Sequence, residues 1–126
     1  MLILLTRDDY HRLWNLLTVA RLDQAAQRTL LNRLERVLGV AKPVPAEVLP
    51  PETVTLNAHV VLREKHTGEE VRFQLVLPGD SSVEDRKVSV LSPVGTAILG
   101  RRAGEEIRCG DLERELAFRI ERVARE

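Results

Sequence analysis

Apolar residues recur at helical spacing in two stretches near the start of the chain. Tyr10, Leu13, Trp14, Leu17 and Ala20 form one stripe, and Leu30, Leu31, Leu34, Val37 and Leu38 form a second, the spacing of two amphipathic helices. Thr6 followed by Asp9 has the form of a capping box with Asp in place of Glu, and Leu5 and Tyr10 occupy the staple positions. Asp23 is placed to cap the second helix and Gly39 to stop it. No Gly or Pro separates the stripes, so the pattern fits either one continuous helix or a hairpin with its tip at Arg21, Leu22, Asp23 and Gln24. A helix of roughly thirty residues without an internal cap is long for a small globular protein, which favours a short antiparallel hairpin over residues 1–41.

The pattern changes after Ala41. Lys42 to Glu52 holds Pro43, Pro45, Pro50 and Pro51, and proline keeps its predecessor out of the helical region, so 42–52 reads as an extended connector and a boundary. Beyond it, Val54 to Arg63 and Val71 to Leu77 are β-rich, joined by a turn around Gly68. Pro78-Gly-Asp-Ser-Ser makes a second turn, Val88 to Val90 a short strand, and Leu116, Phe118 and Ile120 alternate with polar neighbours in a terminal strand. Between the last two, Ser92 is an N-cap and Pro93 suits the first helical position. Val94, Ala97, Ile98 and Leu99 give one apolar face, Gly100 the stop, and Gly104 the approach to a return strand. Residues 53–126 therefore read as an α+β layer, a sheet of about five strands carrying one short helix.

Composition narrows the function. Apolar residues make up 44% of the 126, enough for a core, and charged residues 30%. One Trp, one Tyr and two Phe leave most of the filling to aliphatic side chains. Zero net charge argues against general attraction to nucleic acid or membranes. Cys109 is the lone cysteine, so no internal disulfide forms and a reducing compartment is compatible. Met1 to Leu5 is too short for a signal core and lacks a basic leader, and no run approaches a membrane span. The cytoplasm is the expected location.

No catalytic or metal constellation emerges. His11, His59 and His66 are scattered over a helix, a strand and a turn without zinc spacing, and Ser81, Ser82 and Ser92 lack a nucleophile elbow. Leu99 to Gly104 has two glycines but no Lys-Ser/Thr, and its helix lies on the wrong side for a phosphate loop. Asp8 and Asp9 suit a helix N-terminus, while Glu69-Glu70 and Glu105-Glu106 suit solvated turns. Trp14 either pins the hairpin or packs on the domain, Cys109 is inert, and Arg101 and Arg102 either meet an acidic surface or point into water. No enzyme activity, metal or cofactor is expected.

The stretch Lys87 to Glu106, KVSVLSPVGTAILGRRAGEE, resembles the C-terminal domain of the bacterial Gre transcript-cleavage factors. Pro50 to Glu64, PPETVTLNAHVVLRE, is similar to the leading strand of the Rnk branch, short-armed relatives named as regulators of nucleoside diphosphate kinase. The resemblance implies an FKBP-like domain with an antiparallel sheet, an arm in the form of a short coiled coil, and bacterial RNA polymerase as partner. In Gre factors the Ser-Pro turn meets a coiled coil at the rim of the polymerase secondary channel, and the matching positions are Ser92 and Pro93. Leu91, Val94, Arg101 and Arg102 complete the expected contact, with Leu91 standing where Gre factors carry Asn or Asp.

Gre cleavage activity needs acidic residues at the arm tip to hold a metal ion, since a hard cation is held best by converging carboxylates. Here the tip has Asp23 alone, beside Arg21. An arm of about 16 residues spans only roughly 24 Å, short of the depth the longer Gre arms are built for. The resemblance thus implies a monomeric, non-catalytic polymerase-binding regulator that competes with cleavage factors and affects nucleoside diphosphate kinase levels indirectly. It implies no direct nucleic-acid or membrane contact. An adaptor or homodimer joined through the arm is the alternative. An FKBP-like prolyl isomerase is a third reading, weakened because only Phe73 and Phe118 are available to line an aromatic pocket.

Overall fold

A computed structural model describes residues 2–23, 25–110 and 115–125. The apolar start of the chain is a strand, β1 (Leu4–Thr6), which the periodicity did not reveal because three residues are too few to alternate. Helix α1 (Arg7–Ala20) follows directly, with Thr6 as its N-cap: the Thr6 hydroxyl accepts the Asp9 N–H at 3.0 Å. Helix α2 (Arg28–Val40) returns beside it, so the hairpin forms. Two local expectations fail. Gly39 lies inside α2, not beyond its end, and Ala41 is the C-cap. Gln27 occupies the N-cap of α2 without a side-chain bond, so Asp23 does not cap it.

The connector is extended at first, as its prolines require. Strand β2 (Lys42–Val44) pairs in parallel with β1, and a 3-10 turn follows at Ala46–Val48. Residues 53–58 bury Val54, Leu56 and Ala58 but form no strand. Asn57 takes φ 69°, and the N–H groups of Val54 and Leu56 go to Arg101 O and the Asp9 carboxylate; Asn57 N–H and Ala58 O already bond to Leu75, and the regular ladder register begins at His59.

Strands β3 (His59–Glu64), β4 (Glu70–Val76), β5 (Lys87–Ser89), β6 (Glu106–Gly110) and β7 (Glu115–Ala124) build one sheet in the order β5-β4-β3-β7-β6. The expected all-antiparallel sheet is corrected at one edge: β4 and β5 are parallel. Residues 77–86 contain a 3-10 turn at Pro78–Asp80 and a small reversal closed by two hydrogen bonds between Ser82 and Lys87. Two reversals restore the direction of β4. A bulge where β3 passes from Val61 to Leu62 shifts the β7 partner from Arg122 to Ile120. The extra residue bends the strand and brings Val123 to the buried face, out of the alternation that Phe118 and Ile120 follow.

Helix α3 (Pro93–Ile98) packs between the sheet and α2. One apolar cluster runs through Leu13 and Leu17 of α1, Leu34 and Leu38 of α2, Val60 and Leu75 of the sheet, and Ile98 of α3. It is mainly aliphatic, with Phe73 and Phe118 near its boundary. Gly100 closes α3 at φ 75°, and a Cβ there would strike Ile3, so only glycine lets β1 pass so close. Leu4 N–H donates to Gly100 O at 3.2 Å across this contact.

Candidate functional site

The Ser92–Pro93 turn is built by hydroxyl groups. Ser92 Oγ accepts the Gly95 N–H at 3.1 Å and donates to Ser89 O at 2.7 Å. Ser89 Oγ accepts the Leu91 N–H at 3.0 Å, and Thr96 Oγ1 donates to Val90 O at 2.8 Å. The capping role of Ser92 and the first-turn role of Pro93 are both present. Ser89, Gly95 and Thr96 were not singled out from the sequence. A hydroxyl three residues before the cap and another four after it were the available signal. Gly95 is buried, and a Cβ on it would collide with Ser89 O, a backbone atom that cannot swing aside.

These bonds leave Pro93 exposed at the crest of a rigid turn, while Ser92, Leu91 and Val94 are half-buried. Leu91 and Val94 rest against the core cluster, so their apolar character serves packing as well as any contact. Arg101 and Arg102 diverge. Arg101 lines a cleft that also includes Pro93. Arg102 is exposed, and its N–H donates to the Glu105 carboxylate at 2.7 Å.

At the other end, Arg21 folds back on α2, donating to Asn32 Oδ1 at 3.1 Å and pairing with Glu35 at 3.3 Å. The Asp23 carboxylate accepts the Ala25 N–H at 3.0 Å and so closes the tip turn. Leu22 is 81% exposed. Gln24 lies outside the described residues. No group of three or more potential metal ligands occurs among the described residues.

Three carboxylates do structural work. Asp9 is buried and accepts the Leu56 N–H at 3.0 Å, tying α1 to the segment before β3. Burial pushes its carboxyl above the ordinary Asp range, with the Leu56 bond acting in the opposite direction. Glu64 at the end of β3 accepts the Thr67 N–H and hydroxyl and meets His66 at 3.2 Å. The Thr67 N–H is the main cause of its pKa falling to about 2. Glu106 is held below its usual value first by its bond to Lys65 at 2.7 Å. On the exposed sheet face Arg63 bridges Glu121 at 2.9 Å and Glu70 at 3.7 Å, so Glu70 and Glu106 are paired residues, not free turn charges.

A curled sheet with one short capped helix and a helical hairpin packed on the same core defines the Gre-type fold. Residues 49–125 match the family model described as transcription elongation factor, GreA/GreB, C-term, and the chain belongs to that family. The transcription elongation factor GreA of Syntrophus aciditrophicus is 31% identical over 91 residues, 72% of this chain and 56% of that protein. The chain thus spans little more than half the length of the curated relatives it matches. A solved structure, the prokaryotic transcription elongation factor GreA/GreB from Nitrosomonas europaea, superposes with a TM-score of 0.79 at 32% identity, covering 99% of both chains. Gfh1 of Thermus aquaticus shares the fold at 24% identity with a TM-score of 0.55, covering 98% of this chain and 99% of that one.

Proposed function

We propose that this chain is a non-catalytic RNA polymerase accessory factor. It docks through the Ser92–Pro93 turn at the secondary-channel rim and competes there with Gre cleavage factors. The observation that carries this reading is the contrast between its two ends. Pro93 stands exposed on a turn locked by three hydroxyls, a preformed contact that loses little freedom on binding. The arm tip has one carboxylate, and that carboxylate is engaged by Ala25 N–H. A metal ion held in a polymerase active site needs more oxygen ligands than such a tip can bring.

The arm lengths support placement in the short-armed Rnk branch. Helices of 14 and 13 residues reach only about 20 Å at 1.5 Å per residue. A short α3 lying on a bent five-stranded sheet supports the FKBP-like description of the domain. On this reading the chain acts as a monomer in the cytoplasm, and an effect on nucleoside diphosphate kinase levels is transcriptional. The test is displacement of a bound Gre factor from core polymerase, with backtracked complexes assayed alongside. The chain should displace the Gre factor without shortening the RNA. RNA shortening by the chain alone would refute the non-catalytic role, and failure to displace at saturating concentration would refute shared docking.

A further inference from the structure

We propose that the cleft between α2, α3 and β6 binds a small phosphorylated ligand carrying two or more anionic groups. The cleft has a volume of about 320 Å³, within the range of small-molecule sites. Four arginines line it: Arg33 and Arg36 from α2, Arg101 after α3, and Arg108 from β6, with no Asp or Glu among the described lining residues. In a chain whose positive and negative charges balance, four arginines on one cleft are a local excess of positive charge. Arg12, Arg21, Arg63 and Arg72 each reach a carboxylate. None of the four cleft arginines forms an ion pair with a described residue. Glu106, two residues from Arg108, is held by Lys65 at 2.7 Å.

Arg101 adds a second, independent observation. Its Nε is buried and has no hydrogen-bond acceptor among the described residues. An unmatched buried donor on a charged group is costly, and an oxyanion in the adjoining cleft offsets part of that cost by pairing with the same guanidinium. Cys109 supplies no compensating charge, because burial keeps its thiol protonated despite the field of Arg33. Guanidinium groups pair bidentately with phosphate oxygens, and spreading four of them over three elements suits separated anionic groups on one ligand. The remaining wall, including Val37, Pro93 and Ala97, is mainly apolar and offers contact to an uncharged portion. A cleft of this volume holds a small molecule more completely than it holds a polypeptide segment. The inference does not depend on polymerase binding.

The test is calorimetric titration of the whole chain at low ionic strength with inorganic tripolyphosphate, and with hexaglutamate as the carboxylate arm. Tripolyphosphate should bind at one site with sub-millimolar affinity. Arg33→Gln with Arg36→Gln on the outer turns of α2 should weaken it at least tenfold, as should Arg101→Gln. Arg12→Gln with Arg72→Gln, the same loss of charge elsewhere, should leave it within twofold. If Arg101→Gln fails to fold, the α2 pair decides the matter alone. Absence of saturable binding, an equal loss in the control pair, or hexaglutamate binding where tripolyphosphate does not, would each overturn the proposal. The last outcome would assign the cleft to an acidic protein segment.

Discussion

Removing the Asp9 carboxylate tests how much one buried bond contributes to fastening the hairpin to the sheet domain. Asp9→Ala leaves the Leu56 N–H without its 3.0 Å acceptor in a buried setting. An orphaned buried donor costs about 1–3 kcal/mol, which for a chain of this size lowers Tm by roughly 4–12 °C. Asp9→Asn keeps an oxygen that can accept the same bond and removes a carboxylate that burial disfavours. It gives up only the favourable charge at the α1 N-terminus, about 0.3–1 kcal/mol. The two variants should therefore separate in urea unfolding, Ala falling well below Asn. The pH dependence supplies a second check. The Asp9 pKa is raised in the folded chain, so the folded state holds this proton more tightly than the unfolded state does. Its contribution to stability falls as pH rises from the ordinary Asp value through the raised folded value, then levels off. Asp9→Asn should lose that decline. Equal unfolding midpoints for the Ala and Asn variants, or an unchanged pH profile in Asn, would refute the reasoning.

Three further outcomes are expected. Gly95→Ala should lower the urea midpoint by the equivalent of at least about 1–3 kcal/mol, because the added methyl meets backbone and α3 must lift away from β5. Glu64, with its folded pKa lowered to about 2, stabilises the β3–β4 turn above the unfolded value of 4.5 and loses that effect as pH falls from there toward about 2; the protection factor of the Thr67 amide, its exchange rate taken relative to the intrinsic rate at each pH, should fall across that window and be low throughout in Glu64→Gln. Pro93→Ala and Ser92→Ala should part company. Pro93 is exposed, so its replacement should change stability by about 0.5 kcal/mol or less while weakening polymerase displacement, whereas Ser92→Ala should also cost about 1 kcal/mol through loss of the cap.

Long-range stitches are what the sequence hid. The helix pattern, the Thr6 and Ser92 caps and the Gly100 stop were legible because each depends on neighbours within four residues. β1 is hidden in the sequence because its hydrogen-bond partners among the described residues are β2, nearly forty residues on, and Gly100. The parallel edge was hidden because direction depends on how residues 77–86 double back, and Ser82 and Lys87 give no sign of pairing in one dimension. Asp23 has the residue type of a cap, yet its carboxylate takes the Ala25 N–H and the N-cap of α2 falls four residues later, at Gln27. For the candidate site, Ser92 and Pro93 could be read directly. The arginine cleft could not, since Arg33 and Arg108, far apart in sequence, come to line one cleft only in the folded chain.

The continuity of the apolar interior from α1 through α2 to α3 has a mechanical result. A hinge needs a seam that water can enter, and the seam between hairpin and sheet is filled by leucines and crossed by the Asp9–Leu56 and Leu4–Gly100 bonds. Whatever takes hold at Pro93 therefore also fixes the compass bearing of Leu22 at the far end, as gripping the handle of a rigid key decides where its blade will point.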